Sequence, residues 1–542
     1  PSLQRHQLLS VKFSVCRVTN IIIVQPTTGA NFSGSIMWLM IVLGIFLHFF
    51  PSDGEECNKV YFEYGFTCSC HEDDCDFFPP ISLPDSGTYL RVSSSEISDR
   101  FKQSTHSLIT GTSKQNTIFV DSTLAYQQII GFGGSISDAV GIHAFSLSKK
   151  TYGTLMKSYY SSQGLEYNML RIPMAGTDFS TRCYSYDDHP GDVKLEKFSL
   201  AEEDYKYKIP MIQSIFNMTS AEVFIFASPW SAPKWMKTNN KFNGKGVLRP
   251  DHYGVYARYF VKFLDAYKKL GIPMWGLTIQ NQPITGMIEN FPFTCMGWTA
   301  KMQLEFIKHH LGPELERSGY SDVQLMIMDD DRYNIPIWTD VILSDPIANK
   351  YAKGTAVHFY WDKLTPDILT RAHENFPNHF ILGSEACGGR WDNKVRRGSW
   401  ARGEDYALDI IQDLNHWVVG WMDWNLALDM TGGPNWAKNF KDSPILVDAA
   451  KDTFYKQPMY YAMGHFSKFI PRGSFRIGSQ RYNVSNSLES TSLLRPDGYL
   501  VTIVVNKGSS DVPVQIQDSK RRVFIKDIVS SKSFVTYVWK SV

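Results

Sequence analysis

The sequence lacks an excess of charge of either sign. Its 55 lysines and arginines are matched by 54 aspartates and glutamates, which gives a formal net charge of +1 at neutral pH. Proteins that bind the phosphate backbone of nucleic acids usually carry a surplus of lysine and arginine. We therefore expect no nucleic-acid partner. The chain also has no internal repeat and no low-complexity tract, which argues against a repeat architecture.

Long apolar runs are also scarce. One run, residues 37–50, is followed by a polar stretch; its length matches the apolar region of a signal peptide and is short for a membrane span. We predict a signal peptide over residues 37–52, although no basic segment follows Met37, and a non-native or leader extension over residues 1–36, which begin with proline. A buried N-terminal helix is the alternative. No later stretch is apolar enough to cross a membrane, so we expect no span in the mature chain.

Cysteines are few, eight in 542 residues, and four of them crowd one segment after the predicted signal peptide. They are Cys57, Cys68, Cys70 and Cys75. In an exported protein two disulfides are a better explanation than a metal cluster. Three pairings are possible, and the close spacing of Cys70 and Cys75 favours a bridge between them, with Cys57–Cys68 as the other. The predicted mature chain has two sequons, at Asn217 and Asn483, which fit a glycosylated product.

The length and the aromatic content agree with a large catalytic domain. A chain of 542 residues can hold a barrel of about 250 residues plus accessory modules. Aromatic residues make up 14% of the chain. They suit stacking on sugar faces, and ordinary core packing explains them equally well.

From about residue 126 to residue 425, short apolar runs alternate with amphipathic segments such as residues 252–267. This alternation indicates βαβ units with a parallel sheet, and the number of runs favours an eight-stranded barrel over an open sheet. Catalytic groups of such barrels lie at the carboxyl ends of the strands. Polar or aromatic residues end the runs at Arg171, Trp230, Asn281, Gln282, Tyr360, Glu385 and Trp424.

After Lys456 the pattern changes to short β-like runs separated by turns, which predicts an all-β module. We expect a β-sandwich domain formed by residues 84–125 and 470–542. The catalytic barrel is predicted over residues 126–469. A small β module should combine the cysteine-rich residues 53–83 with a part inserted near residues 425–455.

Glu385 is the strongest candidate for a nucleophile. It ends the apolar run 379–385 and is followed by small residues that allow a substrate to approach closely. A retaining glycosidase needs two carboxyl groups about 5–5.5 Å apart, one to attack the anomeric carbon and one to protonate the leaving oxygen. On this run alone, a solvated glutamate at a strand end is the simpler explanation.

Longer motifs resemble one family over most of the chain from about Cys57. They include Gly-Phe-Gly-Gly-Ser-Ile-Ser-Asp at 131–138, Ala-Ser-Pro-Trp-Ser-Ala-Pro at 227–233, Trp-Asn-Leu-Ala-Leu-Asp at 424–429 and Asp-Thr-Phe-Tyr-Lys-Gln-Pro-Met-Tyr-Tyr at 452–461. These segments are similar to those of the lysosomal acid β-glucosidase (glucosylceramidase) family. The resemblance implies a (β/α)8 TIM barrel, an immunoglobulin-like β-sandwich and a small cysteine-rich β module.

The same resemblance assigns roles to individual residues. It implies that Glu385 is the nucleophile and that the glucose is held by Arg171, Asp178, Trp230, Asn281, Tyr360, Trp424 and Asn435. Phe291 and Phe293 would meet the aglycone. Asparagine at 281 suits a hydrogen bond to the 2-hydroxyl, which strengthens in the transition state.

Position 282 departs from the family pattern. The family has its acid/base glutamate in an Asn-Glu-Pro motif, whereas this chain has Asn281-Gln282-Pro283. A glutamine amide has nearly the shape of a carboxylic acid but carries no transferable proton, and general acid catalysis contributes about 10²–10⁴-fold. Glu289, in the loop that follows, is not an obvious substitute. A natural change, a deliberate substitution or a sequence error would each leave this glutamine.

Three functions compete. The leading hypothesis is a retaining β-glucosidase that hydrolyses glucosylceramide, with activity weakened or lost through Gln282. The alternatives are a catalytically dead glucosyl-lipid-binding paralogue and a related hydrolase of other β-linked glycans. The resemblance also implies a lysosomal or secreted protein, peripheral to membranes, with a possible saposin-type activator and anionic lipid as partners. We expect no metal and no organic cofactor.

Overall fold

A computed structural model describes the side chains of residues 56–112, 115–361, 366–389, 392 and 394–540. It also gives the backbone of two strands, β1 (Phe13–Val18) and β2 (Ile21–Pro26), which pair antiparallel. The chain divides into two units, residues 1–53 and 54–542. The predicted signal peptide, residues 37–52, lies outside the described residues. Of the predicted extension, residues 1–36, only this hairpin is described.

The strands of the second unit follow in chain order. They are β3 (Lys59–Phe62), β4 (Gly65–Cys70), β5 (Thr88–Ser95), β6 (Lys102–Ser107), β7 (Ile109–Thr110), β8 (Thr117–Gln128), β9 (Gly131–Ser135), β10 (Met169–Met174), β11 (Phe224–Pro229), β12 (Gly276–Thr278), β13 (Gln324–Asp331), β14 (Ala352–His358), β15 (Phe380–Glu385), β16 (Val418–Asn425), β17 (Ala427–Asp429), β18 (Ile445–Asp448), β19 (Thr453–Lys456), β20 (Phe475–Tyr482), β21 (Leu488–Leu494), β22 (Tyr499–Asn506), β23 (Val512–Asp518), β24 (Val523–Val529) and β25 (Ser533–Lys540).

The helices lie mainly between the strands of the barrel. They are α1 (Asp138–Ala144), α2 (Lys149–Tyr160), α3 (Ile209–Met218), α4 (Tyr253–Lys269), α5 (Ala300–Phe306), α6 (Gly312–Arg317), α7 (Ile335–Leu343), α8 (Pro346–Tyr351), α9 (Asp367–Asn375), α10 (Trp400–Asn415) and α11 (Pro458–Ser467). Two π-helical turns, Asp204–Lys208 and Ile307–Leu311, directly precede α3 and α6.

Eight parallel strands close into a barrel in the order β10-β11-β12-β13-β14-β15-β16-β9. The predicted (β/α)8 barrel is therefore confirmed. A cluster of apolar side chains fills part of its interior; it includes Met169, Phe226, Met326, Leu382 and Met422. Side chains of this kind make the barrel interior a packed core and leave its carboxyl-terminal rim for polar groups.

The first barrel strand, β9, is rich in glycine because it runs very close to its neighbour. A Cβ atom at Gly133 would lie 2.0 Å from the carbonyl oxygen of Met169 in β10. Any side chain at this position would force the two strands apart. The glycines of β9 therefore allow the barrel to close.

The β-sandwich draws its strands from both sides of the barrel sequence. One sheet runs in the order β6-β5-β25-β22-β21-β20-β8-β23-β24-β7. Strand β25 pairs antiparallel with β5, so that Trp539 faces Tyr89 in the register. Strand β20 pairs with β8 in the same way. Residues before and after the barrel thus form one folded sheet with its own apolar core.

The small β module is a five-stranded sheet in the order β17-β18-β19-β4-β3. Disulfides join Cys57 to Cys68 and Cys70 to Cys75, as predicted. The sulfur atoms of these cysteines are consumed by the two bonds, so they offer no thiolate to a metal ion. Among the described residues Cys183, Cys295 and Cys387 are free thiols.

Two further observations concern the helices and the predicted glycosylation sites. In the described part of the chain, no helix has both the length and the apolar character that a membrane crossing requires. Asn217 and Asn483, the predicted glycosylation sites, are both exposed.

Candidate active site

A β-bulge near the end of β13 organises the carboxyl-terminal rim of the barrel. Met328 and Asp329 have positive φ angles of 69° and 63°, and the pairing with β14 shifts register between Met328 and Asp330. Bulges of this kind re-aim side chains beside active sites. Here the carboxylate of Asp329 is fully buried and accepts hydrogen bonds from Thr278 (2.6 Å) and Ser384 (2.6 Å).

Arg171, near the middle of β10, is the cation of this rim and is fully buried. Its Nη1 donates to Oε2 of Glu385 over 2.5 Å. Its Nη2 donates to Asp329 Oδ2 and to Asn281 Oδ1, each over 2.9 Å, and its Nε donates to Ser228 over 3.2 Å. A buried guanidinium is tolerated because it is paired with two carboxylates and makes four hydrogen bonds.

Both carboxylate oxygens of Glu385 are held by hydrogen bonds. Oε2 accepts from Arg171, and Oε1 accepts from the hydroxyl of Tyr360 over 2.7 Å. His358 Nδ1 lies 3.7 Å from Oε1, while its Nε2 bonds Asp329 over 2.9 Å. The carboxylate of Glu385 is therefore fixed at the end of β15 by hydrogen bonds from Arg171 in β10 and from Tyr360, two residues after β14.

The buried charges shift one another's pKa values. Burial alone would raise the pKa of Asp329, but Arg171, His358 and Ser384 hold it well below its usual range. Burial lowers the pKa of His358, and the carboxylates of Glu385 and Asp329 raise it by more, so the net shift is upward. The low pKa keeps the carboxyl of Asp329 ionised, and its two oxygens bond Arg171 and His358.

Two tryptophans line the space beside Arg171. The rings of Trp230 and Trp424 stack with their centroids 4.9 Å apart, and the guanidinium carbon of Arg171 lies 5.1 Å and 5.5 Å from these rings. Phe179 packs edge-on against Trp424. Cys387 belongs to the same buried apolar cluster, and its Sγ lies 3.3 Å from the Tyr360 hydroxyl.

Asp178 and Asn435 form a second polar group next to this cluster. Oδ2 of Asp178 accepts from Nδ2 of Asn435 (2.9 Å) and from Nδ2 of Asn439 (3.0 Å). Burial raises the pKa of Asp178 to about 6, and the two asparagine bonds oppose that rise. This carboxyl group therefore changes charge in the mildly acidic range.

Gln282, in the loop after β12, is held by its backbone alone. Its φ is +44°, its N–H donates to the carbonyl of Asp329 over 2.8 Å, and its carbonyl accepts from the N–H (3.0 Å) and hydroxyl (2.6 Å) of Thr285. The side chain is partly exposed, and its amide has no hydrogen bond to any described residue. The backbone contact with Asp329 places Gln282 on the same rim as Glu385.

Two acidic residues close to Gln282 in the chain or the fold, Glu289 and Asp330, are engaged elsewhere. Glu289 is exposed and pairs with Lys245 over 2.7 Å. Asp330 is buried, and its two oxygens accept from the backbone N–H groups of Ile284 (3.3 Å) and Asp331 (2.8 Å). Burial raises the pKa of Asp330 to about 6.

The aromatic pair predicted for the aglycone lies on the same loop as Glu289. Phe291 and Phe293 are half-buried and touch edge to face, with ring centroids 4.5 Å apart. Among the described ring contacts, none joins Phe291 or Phe293 to Trp230 or Trp424.

The structure thus brings most of the predicted residues together, and it adds others. Arg171, Asn281, Tyr360 and Glu385 share one hydrogen-bond network, Trp230 and Trp424 flank it, and Asp178 and Asn435 bond each other. Sequence reasoning missed four residues of these groups, which are Asp329, His358, Ser384 and Asn439. The position of Asp329 at the end of the apolar run 323–329 was the signal that could have revealed it.

Two family models match the chain. The glycosyl hydrolase family 30 TIM-barrel domain matches residues 129–470, and the glycosyl hydrolase family 30 beta sandwich domain matches residues 473–537. The first match spans more than half of the chain and coincides with the closed barrel. The second coincides with strands of the ten-stranded sheet.

Relatives and solved structures agree with these matches. The chain is 45% identical to the lysosomal acid glucosylceramidase of Mus musculus over 87% of its own length and 93% of that protein. It is 39% identical to the putative glucosylceramidase 4 of Caenorhabditis elegans, over 93% of the chain and all of that protein. The crystal structure of SrfJ from Salmonella typhimurium superposes with a TM-score of 0.78 at 27% identity, covering 84% of the chain and 100% of that structure.

Proposed function

The chain belongs to glycosyl hydrolase family 30, and we propose that it is a retaining β-glucosidase of the glucosylceramidase type. The proposed substrate is glucosylceramide, and the proposed products are glucose and ceramide. The observation that supports this most is the fixed carboxylate of Glu385, held by Arg171 and Tyr360 beside two stacked tryptophans.

In this proposal Glu385 attacks the anomeric carbon of the glucose and forms a covalent glucosyl ester. Arg171 and Tyr360 bond one oxygen each, so the carboxylate loses little freedom when it attacks. Asn281, held by Arg171, is the proposed partner of the 2-hydroxyl. Trp230 and Trp424 offer apolar faces to the C–H surface of the ring.

The far side of the glucose would be bound by the second polar group. The carboxyl of Asp178 is already bonded by Asn435 and Asn439, and its remaining lone pairs suit sugar hydroxyls. The loop that carries Phe293 would meet the aglycone. An apolar ring at this place suits the alkyl chains of a ceramide.

Gln282 stands at the proposed acid/base position and limits this chemistry. An amide neither protonates the departing alkoxide of ceramide nor deprotonates the water that must release the glucose. We therefore propose that hydrolysis of glucosylceramide is weak or lost in this chain. A glucosyl-lipid-binding protein without turnover is the second candidate, and the unpartnered amide of Gln282 is the observation that favours it.

A mechanism-based inhibitor separates the two candidates. An activated 2-deoxy-2-fluoro-β-glucoside needs no acid to leave, so it should label Glu385 covalently, and peptide mass spectrometry would locate the label. The matched control is Glu385→Gln, which should take no label. Tight binding of a glucose-like iminosugar without any labelling would establish the binding protein and reject the retaining enzyme.

The cellular setting is proposed on separate grounds. Two disulfides, two exposed sequons and a lysosomal relative support a secreted or lysosomal glycoprotein, peripheral to membranes. A saposin-type activator and anionic lipid are the proposed partners. Enzymatic removal of N-glycans should lower the apparent mass of the secreted protein, and Asn217→Gln combined with Asn483→Gln should abolish that change.

A further inference from the structure

Both halves of a retaining hydrolysis need a proton to move at the position of Gln282. The first half protonates the leaving oxygen, and the second removes a proton from water. Gln282 performs neither step, but its backbone bonds to Asp329 and Thr285 keep the side chain at the rim. The amide therefore occupies the place of the acid without its chemistry.

Neither Glu289 in the following loop nor Asp330 in β13 is placed to replace it. Glu289 is turned to solvent and paired with Lys245. Asp330 is buried, and both its oxygens bind backbone N–H groups. Gln280 is another amide, whose Nε2 donates to the carbonyls of Trp230 (2.7 Å) and Asn281 (2.9 Å).

The charge of the site also changes once Glu385 carries glucose. The ester is neutral, so Arg171 loses one of its two carboxylate partners and keeps only Asp329. A glutamate at position 282 would then present a negative charge to any incoming nucleophile. The neutral amide presents none, so an anion can approach the ester without that repulsion.

We propose that this site transfers glucose to small anionic acceptors. The glucose donors are β-glucosides whose aglycone leaves as a stable anion. The inference rests on the proposed retaining chemistry of Glu385. Donors of this class include glucosides of acidic phenols and carboxylic acids. Alkyl glucosides, whose oxygen must be protonated before it leaves, are poor donors here.

The steps balance without an acid or a base. Glu385 forms a bond to the anomeric carbon, and the bond to the aglycone oxygen breaks, with the electron pair leaving on the aglycone anion. The acceptor anion then bonds the anomeric carbon, and the ester bond breaks to restore the carboxylate of Glu385. The product keeps the β configuration because two inversions have occurred.

The test uses the purified full chain, 2,4-dinitrophenyl β-glucoside as donor and azide as acceptor. Azide should raise the steady-state release of dinitrophenolate by about 10²-fold, within the range that general base catalysis contributes. The accumulating product should be β-glucosyl azide. Chloride at the same ionic strength is the salt control and should leave the rate unchanged.

A series of aryl β-glucosides gives a second readout. Labelling of Glu385 should become faster as the phenol becomes more acidic, because nothing protonates the leaving oxygen. A concealed acid such as Asp330 would make the labelling rate nearly independent of the phenol. The Gln282→Glu variant is the matched control, and its response to azide should fall below about twofold because water then has its base.

Two outcomes would overturn the inference. If the fluoroglucoside labels Glu385 but azide neither speeds release nor appears in a sugar product, transfer to anions fails while the proposed retaining chemistry stands. If the labelling rate is flat across the phenol series, an acid is present and the donor class is wrong. Absence of any label at Glu385 would reject the proposed function as well.

Discussion

The rim of the barrel holds its two proposed catalytic positions in opposite ways. At the end of β15, Glu385 is buried and has both carboxylate oxygens bonded by side chains of other strands or loops. In the loop after β12, Gln282 is partly exposed and is fixed only through its backbone. One position is part of a buried ion network, and the other is attached to it by a single main-chain contact.

This difference predicts that the fold tolerates a change of side chain at position 282 more readily than at position 385. A change at Glu385 that removes its charge would leave the buried charge of Arg171 only partly neutralised, which lowers the free energy of unfolding. A change at the side chain of Gln282 breaks no bond within the described residues. The fold therefore constrains the nucleophile strongly and the acid/base position weakly.

The largest expected effect comes from Glu385→Gln. Removal of the nucleophile should lower the release of dinitrophenolate from the aryl glucoside by about 10⁴-fold or more, as for other groups that act directly in catalysis. Steady-state kinetics measures it. Residual activity within about tenfold of the parent chain would place the nucleophile elsewhere.

Gln282→Glu should act in the opposite direction. We expect glucosylceramide hydrolysis to rise by about 10²–10⁴-fold, since a general acid and base is restored. The melting temperature should hardly change, because the amide has no partner to lose. Equal activity in the two proteins would show that position 282 does not face the leaving group.

Arg171→Met tests whether the buried ion network around Glu385 stabilises the protein. Leaving Asp329 and Glu385 without their shared cation should cost about 3–5 kcal/mol of unfolding free energy. Denaturant titration measures this loss, and Asn217→Gln, an exposed change, is the control. A cost under about 1 kcal/mol would mean that the network does not stabilise the rim.

The pH dependence of Asp178 gives the smallest effect. With a pKa of about 6, this carboxyl gains negative charge as the pH rises from 5 to 7. A cationic iminosugar should bind about tenfold more tightly at pH 7 than at pH 5, following the ionised fraction. Calorimetric titration measures the affinity, and Asp178→Asn should make it nearly independent of pH.

The same shift has a consequence for stability. The pKa of Asp178 in the folded protein lies above its ordinary value of 3.8. Its contribution to stability is therefore full below about pH 4 and is lost as the pH rises through about 6. Relative to the parent chain, Asp178→Asn should become more stable over this interval.

Much of the fold follows from the sequence. Seven of the barrel strands are regular apolar runs that end in a polar or aromatic residue, and the alternation with helical segments predicts their parallel order. The remaining strand, β9, reads as Gly-Phe-Gly-Gly-Ser and lacks the β-branched residues by which strands are recognised. Its glycines are required by the close contact of Gly133 with β10. That contact is a property of the tertiary structure and cannot be predicted from the strand's own sequence.

The site was predictable to a similar degree. Strand ends and the family resemblance indicate Arg171, Asn281, Tyr360 and Glu385, which the structure joins in one network. Asp329 ends the apolar run 323–329, but its place in the network depends on the bulge at Met328, and a bulge leaves no periodic pattern. His358 is the last residue of β14 and Ser384 lies one residue before the end of β15. Their part in the network likewise becomes visible only when the neighbouring strands are in register.

The ten-stranded sheet of the sandwich can form only late in synthesis of the chain. Strand β5 is made early, yet its partner β25 ends at residue 540, so Tyr89 finds Trp539 only when nearly the whole chain has left the ribosome. Until then β5 and β8 expose unpaired edges, which are sites of mispairing with other chains. A messenger truncated after the barrel would also remove Phe534, on which Trp400 of α10 stacks with ring centroids 4.3 Å apart, so we expect its product to aggregate.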